Sequence, residues 1–114
     1  WTVAVHGEYE HDFVGKTGYL RVDYNYRSHQ NAITPTLNPN NGGTDLTIDN
    51  VPASHTVSLR SGLRFAGIDA SLFVNNLFNE NAWTARQRDN GRSTLYRAQT
   101  FRPRTVALTA SYRY

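Results

Sequence analysis

At 114 residues, with no cysteine, the chain has the length of one ordinary domain and excludes both a disulfide framework and thiolate metal sites. Its mean hydropathy of -0.60 is low, and no stretch approaches the roughly 18 consecutive apolar residues of a membrane helix, although strands of a membrane barrel escape that limit because only alternate residues face lipid. The net charge of +3, from eleven Arg and one Lys against nine acids, does not point to nucleic acid, because in the strand segments the arginines share one parity with Asp and Glu and mark a mixed wet face.

Alternation of period two predicts a first strand over about residues 1–10, with Trp1, Val3, Val5, Gly7 and Tyr9 on one side and Thr2, Ala4, His6, Glu8 and Glu10 on the other. The chain opens inside this pattern without a signal peptide, so its start is expected to be a cut one. A short connection from His11 to Thr17 leads to a second strand, about 18–28, which sets Leu20, Val22, Tyr24 and Tyr26 against Tyr19, Arg21, Asp23, Asn25 and Arg27. Residues 29–54 then form a long connection, dense in turn formers at Asn38-Pro39-Asn40-Asn41-Gly42-Gly43. Beside them Leu46 and Ile48 alternate with Asp45, Thr47 and Asp49, which predicts a hairpin within the loop.

The third strand, about 55–65, sets Val57, Leu59, Leu63 and Phe65 against Thr56, Ser58, Arg60 and Arg64. The fourth, about 68–76, sets Ile68, Ala70, Leu72 and Val74 against Asp69, Ser71, Phe73 and Asn75. Only Ala66-Gly67 joins these two, a hairpin that places Arg64 opposite Asp69. A second long connection, 77–103, carries the turn signal Asp89-Asn90-Gly91 inside another predicted hairpin. The last strand, about 104–114, holds Val106, Leu108, Ala110, Tyr112 and Tyr114 on its apolar side.

No charge falls on the apolar parity within these strand interiors. Lipid demands such a face, since Arg or Lys at the midplane of a membrane barrel costs about 2 to 4 kcal/mol; a soluble antiparallel sheet with one buried face gives the same alternation. Loop lengths favour the membrane. Counted back from the last residue the connections run long, short, long, short, which is the rhythm of a barrel with short periplasmic turns and long external loops. Tyr9, Phe65, Tyr112 and Tyr114 then fall at the lower interface and Trp1, Tyr24 and Tyr26 toward the upper one, where amphipathic rings are favoured.

Ser71-Leu72-Phe73-Val74-Asn75-Asn76-Leu77-Phe78-Asn79-Glu80 resembles the block that ends the penultimate strand of TonB-dependent outer-membrane receptors. Phe101-Arg102-Pro103-Arg104-Thr105-Val106 through Tyr114 resembles that family's final strand. The specific resemblance covers about residues 55–114, with one loop between its two blocks, and residues 1–54 share the strand rhythm alone. It implies an all-β chain: an up-and-down sheet of about five strands from a barrel of about twenty-two. It also implies active uptake of a scarce nutrient of the siderophore-iron, cobalamin or saccharide class across the outer membrane of a Gram-negative bacterium, with the final residues at the periplasmic side. Within that family Asn75, Asn76, Leu77, Phe78 and Asn79 form the motif, and Tyr112 and Tyr114 form the signal read by the barrel-assembly machinery.

The chain departs from the family in lacking a plug and a TonB-contacting segment, so TonB is expected to act only through a missing plug. Expected partners are therefore outer-membrane lipid, the assembly machinery and, in the full receptor, a small-molecule ligand. Glu8, Glu10, Arg21, Asp23, Arg27, Arg60, Arg64, Asp69 and Arg113 are expected to form a polar wall facing the pore. Neither a cofactor nor a metal is expected: His6, His11, His29 and His55 lie on separate segments, and Asp45-Leu46-Thr47-Ile48-Asp49-Asn50 lacks the glycine of a calcium loop. Two other readings stay open, a soluble β-sheet module that binds a partner through its long loops and a fragment of an outer-membrane barrel hydrolase.

Overall fold

Two tight turns set the register of the main sheet. Val14-Gly15 and Ala66-Gly67 each place both central residues at positive φ, 47° and 74° in the first and 47° and 77° in the second. That backbone has the twist of the strands it joins, so each turn locks its hairpin without slack. The computed structural model describes residues 1–31, 42, 45, 48, 50–89 and 93–113. Among them the regular structure is entirely strand: β1 (Thr2–Phe13), β2 (Lys16–Arg27), β3 (Ser54–Phe65), β4 (Ile68–Asn75), β5 (Trp83–Arg88), β6 (Tyr96–Thr100) and β7 (Thr105–Tyr112). Five of these form one antiparallel sheet in the order β1-β2-β3-β4-β7, and β5 pairs with β6 alone.

Every pairing preserves parity. Val5 faces Tyr24, which faces Val57; Leu59 faces Val74, which faces Val106. The other side keeps its own company, with Glu8 opposite Arg21, Arg21 opposite Arg60 and Arg64 opposite Asp69. A slip of one residue would move a whole strand's apolar set to the wet side, so the alternation read from sequence fixes the parity of each pairing, and the two tight turns fix the register within their hairpins.

The first connection differs from expectation. His11, Asp12, Phe13, Lys16 and Thr17 are strand residues and only Val14 and Gly15 form the turn. The alternation is obscured there because His11 and Lys16 occupy the apolar parity, yet the ladder continues through Asp12 and Thr17, whose hydroxyl donates to Asp12 Oδ1 at 2.6 Å. At the far end β4 stops at Asn75 and β7 spans Thr105–Tyr112. Tyr114 lies outside the described residues. So do Asn38-Pro39-Asn40-Asn41, Gly43, Leu46, Thr47, Asp49, Asn90 and Gly91, although the hairpin predicted in the second loop is present as β5 and β6.

The main sheet is one layer thick, and among the described residues no strand covers either face. Only Tyr19, Ile48 and Val51 are buried apolar residues among those described, and two of these lie in the first long loop. The radius of gyration is 21.0 Å, against about 13 Å for a compact chain of about 100 residues. A core that would offset the entropy of ordering this backbone is absent within the described residues. Its apolar side chains instead line one open face: Val3, Val5, Leu20, Leu63, Leu72 and Leu108 are all exposed, Leu108 to 76%.

Candidate functional site: the polar face and its loop clasp

The opposite face carries the expected wall residues. Glu8, Glu10, Arg21, Asp23, Arg27, Arg60, Arg64 and Asp69 all lie on its parity. Arg113 follows β7 on the same parity, and its backbone N–H donates to the Gly67 carbonyl. The structure brings six of these nine into two clusters. Near the turns, Arg64 sits 2.7 Å from Glu10 Oε1 and 3.4 Å from Asp69 Oδ2. The second pair is the one set opposite by the Ala66-Gly67 turn.

Midway along, Arg21 lies 2.8 Å from Asp23 and 3.8 Å from Glu8. Two acids thereby offset the repulsion between Arg21 and Arg60, which directly face one another. Arg60 takes a neutral partner, donating to Ser71 Oγ at 3.2 Å. Arg27 turns upward and donates to Gln30 in the first loop.

The centre of the turn-side cluster is Tyr19, 7% exposed. The hydroxyl end of its ring lies against Gly62 on the neighbouring strand, where an added Cβ would meet Tyr19 Cζ and Oη at 2.6 Å. Its hydroxyl donates to Asp69 Oδ1 at 3.2 Å and the Arg64 guanidinium stacks 4.5 Å from its centroid. Sequence reading placed Tyr19 on the wet face but gave it no role. The usable signal was an aromatic on the polar parity of one strand beside a glycine on the same parity of the next.

The motif residues work as a clasp. Asn76 adopts positive φ, 52°, which Asn tolerates better than most side chains. Its Nδ2 donates to the carbonyls of Glu80 at 2.8 Å and Arg102 at 2.9 Å, while its Oδ1 accepts from the Glu80 N–H at 2.8 Å. Asn79, also at positive φ, accepts from the Arg104 N–H at 2.9 Å. The Leu77 N–H donates to the Val57 carbonyl at 2.8 Å. This short stretch thus ends β4, turns the chain and ties down the residues that start β7. Asn75 pairs with Thr105 at the top of the ladder, and Phe78 is exposed.

The two long loops meet beyond the sheet. Asp45 is buried and accepts from Arg88 of β5, a contact between two loops that neither the hairpin pattern around Asp45 nor its calcium-like run signals. Its hydrogen bond to this carboxylate holds the Arg88 guanidinium above its ordinary pKa. Arg86 and Arg88 both stack on Tyr96, each 4.8 Å from its centroid, and the Trp83 indole donates to the Asn50 carbonyl at 3.3 Å.

Histidine chemistry does not assemble: His55 bonds Tyr24 Oη at 2.8 Å and lies against Tyr26, while His11 stacks on Tyr9. Among the described residues no three His, Asp or Glu side chains converge on one point. No protein-family model, curated protein or solved structure gives a significant match to the chain.

Proposed function

We propose that this chain is a section of a transmembrane β-barrel that takes up a scarce nutrient across an outer membrane, of the TonB-dependent kind that the Asn75–Asn79 block resembles. One observation carries the membrane reading. The exposed large apolar side chains of the main sheet all lie on one face, and Lys16, beside a turn, is the only Asp, Glu, Lys or Arg on that parity. In water such a surface is unfavourable, since burying a Val, Leu or Phe side chain gains about 1.5 to 3 kcal/mol. In lipid it is the outer wall of a barrel.

Dimensions agree with this. From His55 to Phe65 β3 rises about 34 Å along its axis, or about 24 Å at a 45° tilt, against an apolar band of about 25 Å. Tyr24 and Tyr26 lie at one end of that span and Phe13, Phe65 and Tyr112 at the other, as interfacial girdles would.

Five strands cannot close, because the smallest such barrels have about eight. Among the described residues the outer edges of β1 and β7 have no partner strand, and each unpaired backbone group would cost several kcal/mol in lipid. Further strands, with a plug inside them, would complete the wall. In that barrel the charged face looks into the lumen, the loops that meet through Asp45 and Arg88 stand outside, and Tyr112 lies in the strand presented to the assembly machinery. The role is transport and the chain performs no chemistry on its cargo.

Two measurements test the proposal. The chain should float with phospholipid vesicles and stay with them through alkaline extraction; a soluble monomer would leave the partner-binding sheet module as the better account. Disrupting its gene should abolish the TonB-requiring uptake of one ferric siderophore, cobalamin or saccharide. Uptake of all three unchanged would overturn the transport class.

A further inference from the structure

The one charge on the apolar face sits beside a groove. Lys16 is the only lysine of the chain, placed at the turn end of β2 between Phe13 and Phe65. Its ammonium lies 5.7 Å from the Phe65 centroid and makes no ion pair among the described residues. Lysine suits such a position because its stem lies along apolar surface while the ammonium reaches polar headgroups. Two residues along the same face, Gly18 leaves a gap. Tyr9, His11, Phe13, Leu20 and Leu63 surround it, forming an open groove of about 180 Å³ whose lining is almost wholly apolar.

Nothing in the backbone demands glycine there. Gly18 has no left-handed φ, and an added Cβ would meet Leu63 Cδ2 at 3.6 Å, an ordinary contact. Gly62 is the contrast, being required by the ring of Tyr19. What a side chain at position 18 would occupy is the groove itself.

We propose that Lys16 and the Gly18 groove form a binding site for an anionic phospholipid of the leaflet on the turn side. The phosphate meets the Lys16 ammonium and one acyl chain lies in the groove. Charge complementarity selects the headgroup, since an isolated ammonium in an otherwise uncharged face attracts anionic lipid over zwitterionic lipid. The neighbouring Phe13 and Phe65 rings place it at the depth where headgroup and acyl chain meet. This site rests on the membrane reading above, and the experiment separates the two.

The single lysine supplies its own probe. Reductive ¹³C-methylation keeps its charge and gives one side-chain resonance, distinct from the α-amine, to follow in phosphatidylcholine bicelles as phosphatidylglycerol is added. A shift that saturates with phosphatidylglycerol is expected, with no response to inorganic phosphate. Gly18→Val, which fills the groove with a strand-favouring residue, should lose the saturation while inserting normally. A linear response, a response unchanged in Gly18→Val, or one reproduced by inorganic phosphate would overturn the lipid site. Quenching of Trp1 by brominated acyl chains, read in Trp83→Phe so that Trp1 is the one tryptophan, reports insertion separately. Its absence would sink the membrane reading, and its presence without a saturating shift would sink this inference alone.

Discussion

The two faces of the same five strands are held in different ways. On the polar face side chains satisfy one another: Tyr19 covers Gly62, Asp69 bonds both Tyr19 and Arg64, and Ser71 is 2% exposed. On the apolar face large side chains stand beside each other with nothing over them, Leu72 at 48% and Leu63 at 47% exposure. The comparison teaches that one face is completed inside the chain and the other only by its surroundings. Hydrogen bonds and rings are directional and can be met by a neighbour on the next strand. Hydrophobic stabilisation needs water removed from both sides of a contact, which a single layer cannot do.

The largest effect that sharpens this contrast is a charge placed on the open face. Leu63→Arg should destabilise the vesicle-inserted protein by about 2 to 4 kcal/mol, whereas Ser58→Arg on the polar face should change it by about 0.5 kcal/mol or less. Urea unfolding in vesicles measures both, and equal costs would break the distinction. Next comes the polar face's own packing. Gly62→Ala should cost about 1 to 3 kcal/mol by pushing Tyr19 off its strand, and should cost almost nothing in a Tyr19→Ala background.

Asn76→Ala tests the clasp and should cost about 1 to 3 kcal/mol by stranding the backbone groups it serves. Hydrogen exchange at Glu80, whose N–H Asn76 accepts, should rise while β1 and β2 stay protected. A smaller gain is expected at the first turn, where Val14, a β-branched residue, holds φ 47°. Val14→Asn should stabilise the hairpin by about 1 kcal/mol in a melting experiment, because Asn tolerates that backbone.

Smallest of all is the response of the loop clasp to alkali. Arg88's pKa is raised by Asp45, so its contribution is complete below the ordinary arginine range and is lost only as pH climbs through the raised value. Loop proteolysis should therefore be unchanged between about pH 7 and 10.

The strands were legible because period two is strict where both faces have a clear character, as from Leu20 to Tyr26. It blurred at His11 and Lys16, polar residues on the apolar side, and the first turn was read as too long for that reason. The Arg64 and Asp69 pair was legible because a two-residue turn fixes what lies opposite. Tyr19 over Gly62 and Asp45 on Arg88 were not, since each joins strands or loops whose register or docking no local pattern encodes. The Asn76 clasp is intermediate: its residues stood out as a motif, while their hydrogen bonds to Glu80 and Arg102 required the fold.

The most direct test of the central claim uses the absence of cysteine. Single cysteines along β3 from His55 to Phe65, spin-labelled in phosphatidylcholine vesicles, can be probed with oxygen, which concentrates in lipid, and with a water-soluble nickel complex. Labels at Val57, Leu59 and Leu63 should favour oxygen and those at Ser58, Arg60 and Arg64 the nickel complex, alternating residue by residue. Uniform access of the nickel complex along the strand, or no alternation, would contradict a lipid-facing sheet.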